Sequence, residues 1–351
     1  HLGLADQPQN GFDHWVTLQT GHILSFYDND MIVNGNKMRH PGHSVDFFTG
    51  HAVDYIEQHD SDRPFFMFLT YPAPYGHWPS IKGVDENPYY ERYLDTPFNS
   101  VPREGLSQEL MDWLLIRHDK EADDDPDFYW QLARIPNDLP TLRNYYSQMS
   151  MVDNGVGQVL DALSRKGISE DTLIIYTSDH GMSLGQHGFW GHGEDTWPSN
   201  MHREANNIPL IIQPPGQPPQ SGRPARVDHS LVSTYDIFST VLDYAGLADL
   251  QPGTSPARSM RPLLEDTGSA GGPAWEDAVY MEQEETRSVR TRDWLYMKRF
   301  RPTPYDFKDD LYDLKADPGE RNNLAQDAGH QSICEQLSEQ LDAFFASHCD
   351  P

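Results

Sequence analysis

The stretch that decides the fold is Leu173-Ile-Ile-Tyr-Thr-Ser-Asp179-His180-Gly181. An apolar run rich in β-branched and aromatic residues stops at Asp-His-Gly, the pattern of a buried strand that delivers a carboxylate and an imidazole at its C-terminal end. In open α/β sheets the ligand site lies outside the carboxyl ends of the strands. Asp179 with His180 also suits a divalent cation, a hard oxygen beside a borderline nitrogen. Taken alone, the stretch equally describes a strand followed by an Asx-type turn in which glycine supplies a positive φ.

Working outward, the residues downstream shift that balance. Gly185-Gln-His187-Gly-Phe-Trp-Gly-His192-Gly193 places His180, His187 and His192 within thirteen residues, separated by glycines that let the backbone bend around a ligand. The loop then runs through Trp197-Pro198 and His202-Arg203-Glu204 into a second apolar strand, Ile208-Pro-Leu-Ile-Ile-Gln213. Upstream, Thr141 to Lys166 carries apolar residues at helical spacing (Leu142, Tyr145, Met149, Val152, Val156, Val159, Leu163) and ends at Gly167. Helix directly followed by strand is an α/β unit.

Other elements follow from the same signals. Asn34-Gly35 between two short runs predicts a hairpin, and Ser44 can cap a helix over about 45–58. Phe65 to Thr70 reads as a central strand buried on both faces, beside 172–178 and 208–213. Residues 78–140, rich in Pro, Asp, Tyr and Trp, read as an insertion shaping a cleft, with a short helix near 108–117. A helix over 231–244, short strands near 278–282, 287–291 and 294–299, and a last helix over about 333–347 complete the chain. The Pro/Gly/Ser-rich stretch 248–274 marks a boundary, dividing it into 1–265 and 266–351.

Composition narrows the function. A net charge of −28 argues against nucleic acid and anionic membranes as partners, and no apolar run approaches the ~20 residues of a membrane span. Cys334 and Cys349 fall in one expected helix, ~20 Å apart at helical rise, too far for a mutual disulfide.

These motifs together resemble the sulfatase family, within the alkaline phosphatase superfamily. The strand ending in Asp-His-Gly, the His-Gly loop and the Pro-Leu-Ile strand recur there in that order. His1-Leu-Gly, Gly11-Phe-Asp13, Arg63-Pro-Phe-Phe-Met-Phe-Leu-Thr-Tyr-Pro-Ala-Pro74, Thr286–Thr291 and Asp310-Leu-Tyr-Asp-Leu-Lys-Ala-Asp-Pro-Gly-Glu-Arg-Asn-Asn-Leu324 resemble further family segments. The resemblance implies a three-layer α/β/α sandwich with a mixed, mostly parallel central sheet, plus a small C-terminal antiparallel-sheet subdomain.

The resemblance also implies an activity: a sulfuric ester hydrolase acting on sulfated carbohydrates or small alcohol sulfates, assisted by a divalent metal. Calcium comes first as that metal, while a histidine in place of an oxygen ligand brings manganese, magnesium or zinc into reach. Asp179 and His180 match metal ligands. His192 takes the place of the family's lysine, carrying a charge at an ordinary pKa near ~6.5 only in part at neutral pH. The family's histidine comes directly after Ala-Pro, where this chain has Tyr75. Either Tyr75 takes that place as a substrate contact or His77, two residues on, reaches in, and His77 is preferred as sulfate ligand and acid. His1 matches an active-site histidine, and His187 is a candidate substrate contact. The family's formylglycine nucleophile arises from a Cys or Ser motif that neither Cys334 nor Cys349 matches. The expectation is therefore a stretch that lacks ~100 residues of its domain and is inactive by itself. A periplasmic or secreted location fits the family. Alternatives are a phosphodiesterase or phosphonate monoester hydrolase of the same superfamily, and a non-catalytic binding protein on the same fold.

Overall fold

The computed structural model describes residues 11–19, 23, 25–60, 62–75, 87–104, 112, 139–192, 196, 198–216, 226–265, 275, 277–303 and 305–348. It divides into two compact units, one of residues 1–172 and 182–191, the other of 173–181 and 192–351. The insertion expected over 78–140 lies largely outside the described residues.

The first unit opens with an antiparallel meander, β1 (Val16–Leu18), β2 (Tyr27–Val33) and β3 (Asn36–His43). The expected hairpin forms: Asn34 and Gly35 adopt φ of 49° and 82°, the left-handed pair that a two-residue turn needs. Helix α1 (Ser44–Gln58) follows and buries Val45, Phe48, Ala52 and Ile56. Its cap is His43 rather than the expected Ser44. His43 Nδ1 accepts the Val45 N–H at 3.2 Å, so Nε2 carries the proton and donates to Gln148 Oε1 at 2.9 Å.

That bond explains a second difference. Helix α2 (Leu139–Lys166) exists as its periodicity predicts and ends at Gly167 with φ 77°. It buries Gln148, however, and exposes Met149. A buried amide is tolerated when a partner satisfies it, and His43 is that partner. Helices α1 and α2 meet at Gly155, where a Cβ would lie 2.6 Å from Thr49 Oγ1 and 2.9 Å from the Tyr71 hydroxyl.

Residues 64–70 form no strand, although exposure alternates from residue to residue over 65–70. Phe65, Met67 and Leu69 are half-buried, whereas Phe66 and Phe68 are 61% and 73% exposed. The segment therefore covers one face, not the two that a continuous apolar run suggests, because alternate side chains leave a strand on opposite sides.

At Leu173 the chain enters the second unit with β4 (Ile174–Thr177). It returns to the first for a short hairpin, β5 (Ser183–Leu184) and β6 (Trp190–Gly191), and then continues in the second. There follow a single helical turn α3 (Arg203–Asn206), β7 (Leu210–Gln213) and α4 (Thr234–Tyr244). Helix α4 starts on a reciprocal capping box of Ser233 and Asp236. Strands β4 and β7 are neighbours, as expected, and pair antiparallel with Ile175 opposite Ile212.

The C-terminal part of this unit is an antiparallel sheet, β8 (Ala278–Gln283), β9 (Thr286–Thr291), β10 (Trp294–Arg299) and β11 (Asp310–Asp313), in spatial order 11-10-9-8. Helix α5 (Gln331–His348) seals one face, packing Leu337, Leu341 and Phe345 against Val289, Tyr296 and Leu311. Strand alternation sends Leu295, Met297 and Tyr312 to the other face, where Met201 packs on them. The sheet thus carries the terminal helix on one side and the loop before α3 on the other. Small sheets and helices together make a mixed α/β fold.

Candidate active site

Asp179 and His180 follow β4 at its C-terminal end. Local hydrogen bonds fix both. Asp179 Oδ1 accepts the His180 N–H at 2.9 Å, and Ser178 Oγ donates to the His180 carbonyl at 2.7 Å. His180 Nδ1 lies 2.8 Å from the Gly181 carbonyl. A carbonyl only accepts, so Nδ1 holds a proton, and in the neutral form of the ring Nε2 is the nitrogen that offers a lone pair. Nε2 is 3.7 Å from Asp179 Oδ2. Both side chains are open, Asp179 at 85% exposure and His180 at 41%.

His192 belongs to the same unit, and its ring stacks on His180 with centroids 3.6 Å apart and planes 23° from parallel. Asp179, His180 and His192 thus form one group. Tyr75 and His187 lie in the first unit. Tyr75 is half-buried and donates its backbone N–H to Pro72 O at 3.3 Å. His187 sits in a turn over Gln186–Gly188 with φ 58°, just after Gly185 at φ 91°. His1 and His77 lie outside the described residues.

Gly181 is required where it stands. Its N–H donates to Ala205 O at 2.8 Å, and a Cβ there would lie 2.1 Å from Glu204 O. Turn α3 is thus pressed directly behind the Asp-His pair. The segment leading into α3 is anchored by two buried carboxylates that the chemistry-bearing motifs do not include. Glu285 accepts the Ser199 N–H at 2.7 Å and the Ser199 hydroxyl at 3.0 Å. Glu320 accepts from His202 Nδ1 at 2.9 Å, from the Arg203 N–H at 3.2 Å and from Arg290 at 2.7 Å. Burial by itself raises the Glu320 carboxyl; the hydrogen bonds and charges of His202 and Arg290 outweigh it and bring the pKa to about 2. Glu320 lies in Asp310–Leu324, a segment that in sequence showed only a resemblance to the family.

A strand ending in Asp-His-Gly, followed by a glycine-spaced histidine loop and a Pro-Leu-Ile strand on an α/β scaffold, is the arrangement of the alkaline phosphatase superfamily. Within it the chain belongs to the sulfatase family: the Sulfatase profile matches residues 3–247, and the profile of the N-sulphoglucosamine sulphohydrolase C-terminal region matches 185–346. The chain is 25% identical over 397 residues to an N-acetylglucosamine-6-O-sulfatase of Bacteroides thetaiotaomicron, covering 97% of this chain and 68% of that protein. It is 25% identical over 288 residues to the human N-acetylglucosamine-6-sulfatase, covering 80% and 46%. A solved structure in complex with its substrate D-glucosamine-2-N,6-O-disulfate shares the fold at a TM-score of 0.69 and 23% identity, over 97% of this chain and 77% of that one. The chain spans 68%, 64% and 60% of the length of three curated sulfatases that it matches.

Proposed function

We propose that this protein hydrolyses sulfate esters of amino sugars, with Asp179 and His180 holding a divalent cation and His192 contacting the ester. The observation that carries the proposal is the spacing of Asp179 Oδ2 and His180 Nε2. At 3.7 Å they stand as two ligands of one ion do, each ~2.0–2.6 Å from it. The Nδ1–H bond to the Gly181 carbonyl fits the same role, since a histidine ligand commonly anchors its other nitrogen in this way. One oxygen and one nitrogen donor leave calcium, manganese, magnesium and zinc all admissible. When bound, the cation would supply Lewis-acid stabilisation of the charge that develops on the sulfuryl oxygens.

The chain's own residues do the rest. Asp179 would bring the negative charge that attracts the cation, and His180 would hold it through Nε2. His192, stacked on His180, when protonated donates to a sulfuryl or leaving oxygen. The attacking group implied by the family resemblance is a formylglycine, for which neither Cys334 nor Cys349 has the right neighbours. The amino-sugar substrate rests on the relatives, which are named for N-acetylglucosamine sulfates.

Cation binding is read on the 351-residue chain by calorimetric titration with Ca²⁺ and Mn²⁺. Asp179→Ala is expected to weaken it at least ~10-fold, the scale lost when a metal site's supporting groups are removed; unchanged affinity overturns the metal assignment. Turnover is read on protein that carries a formylglycine nucleophile together with these residues, as sulfate released from glucosamine 6-O-sulfate. Asp179→Ala should lower kcat by ~100-fold or more. A phosphonate monoester hydrolase of Agrobacterium radiobacter shares the fold at a TM-score of 0.64 and 23% identity. Preferential hydrolysis of a phosphonate monoester would replace the sulfatase reading by that one.

A further inference from the structure

Glu320 has an unusual setting. Its side chain is completely buried, and its backbone occupies the left-handed region at φ 55°. A non-glycine residue held there costs on the order of 1 kcal/mol, and a buried carboxylate costs more unless paired. Both costs are borne at a position where an exposed glutamate would satisfy the turn. The Glu320 N–H closes that turn on Asp317 O at 3.0 Å with no help from the side chain. The carboxylate must therefore serve what it touches.

What it touches leads in an unbroken path to the Asp-His pair. Glu320 Oε2 accepts from both His202 Nδ1 and the Arg203 N–H, the two residues that start α3, while Oε1 takes Arg290 from β9. His202 is 8% exposed and packs its ring 5.4 Å from that of Tyr312. Two more contacts brace this turn: the Asn206 side chain donates to Asn200 O and to His202 O, each at 3.2 Å. From α3, Ala205 O receives the Gly181 N–H, and Glu204 O closes the space where a side chain on residue 181 would stand. Gly181 in turn offers the carbonyl that orients the His180 ring.

We propose that Glu320 is a positioning residue for the Asp179–His180 pair. It holds α3 on the C-terminal sheet, so that the Ala205 carbonyl and the Glu204 backbone fix Gly181 and, through it, the His180 ring. The inference rests on the reading of Asp179 and His180 as cation ligands. It makes the C-terminal sheet part of the machinery that shapes that site.

The test uses the 351-residue chain and two readouts. One is amide hydrogen exchange at Gly181, followed by NMR with Val289 and Tyr296 as references inside the sheet. The other is Mn²⁺ affinity from electron paramagnetic resonance. Glu320→Ala is expected to speed Gly181 exchange about 10-fold or more, with the references unchanged within about twofold, and to weaken Mn²⁺ binding ~10-fold. His202→Gln keeps the Glu320–Arg290 pair and removes the shorter of the two bonds from Glu320 to the start of α3, leaving the Arg203 N–H at 3.2 Å. It should therefore reproduce part of the Gly181 effect, about threefold or more, even if Glu320→Ala fails to fold. Glu320→Asp, which keeps the charge, should recover part of both effects.

Unchanged Gly181 exchange in His202→Gln overturns the proposal. So does a rise in step with Val289 and Tyr296, which marks a merely structural role. If Asp179→Ala leaves Mn²⁺ affinity intact, the ligand reading fails on its own, and Gly181 exchange still decides the positioning.

Discussion

Replacing Glu320 with glutamine should cost about 3 kcal/mol of stability at pH 7 and about 1 kcal/mol at pH 3. Its carboxyl stands at about 2 instead of 4.5, and each pH unit of that difference is worth about 1.4 kcal/mol. The sign follows from linkage. A carboxyl depressed in the folded state stabilises fully above its unfolded pKa, and the contribution is lost as pH falls from 4.5 toward 2. At pH 3, one unit above the folded value, about 1 kcal/mol survives. The figure at pH 7 agrees with the ~3–5 kcal/mol usually lost when one partner of a buried pair is removed. The assay is urea unfolding of wild type and Glu320→Gln at pH 7, 5, 4 and 3, followed by tryptophan fluorescence. The difference between the two proteins cancels the other acidic side chains, a necessary control in a chain with 54 Asp and Glu residues in all. A difference that stays constant from pH 7 to pH 3, or one below about 1 kcal/mol at pH 7, would refute the assignment of Glu320 as an ionised, paired and buried carboxylate.

Two further outcomes test the packing. In α2, Gly155→Ala should destabilise by ~1–3 kcal/mol in a thermal melt, because its Cβ would press on Thr49 and Tyr71. Gly157→Ala, with nothing within 4 Å of the added methyl, should stabilise by ~0.5–1 kcal/mol; equal effects would contradict the described face of α2. In α5, Leu341 is fully buried against the sheet, so Leu341→Ala should cost ~2–5 kcal/mol in urea unfolding. A loss below ~1 kcal/mol would mean that α5 does not seal the sheet.

Local chemistry was legible in the amino-acid sequence. Asn34-Gly35 specified its hairpin, because few dipeptides accept two left-handed residues. Apolar spacing located α1, α2, α4 and α5, because a helix brings residues three and four apart onto one face. Asp-His-Gly at the end of an apolar run placed a carboxylate and an imidazole side by side, a consequence of adjacency in the chain. The order of the motifs was enough to identify the family.

Tertiary structure decided whatever depends on residues far apart. Periodicity favoured Met149 for the buried face of α2, but His43, 105 positions from Gln148, satisfies the amide and turns that face. The run 65–70 has the composition of a strand covered on both sides, and only contacts from elsewhere could show that Phe66 and Phe68 are exposed. Glu320 lies 118 positions from His202. No local pattern marks such a pair, because neither residue has a conformational preference that reveals it. Its partner is set by the sheet that carries α5 on one face and Met201 on the other. Dihedral preference and amphipathic spacing act over a few residues and can be read along the chain; the pairing of buried charges is settled only when distant segments are folded against each other.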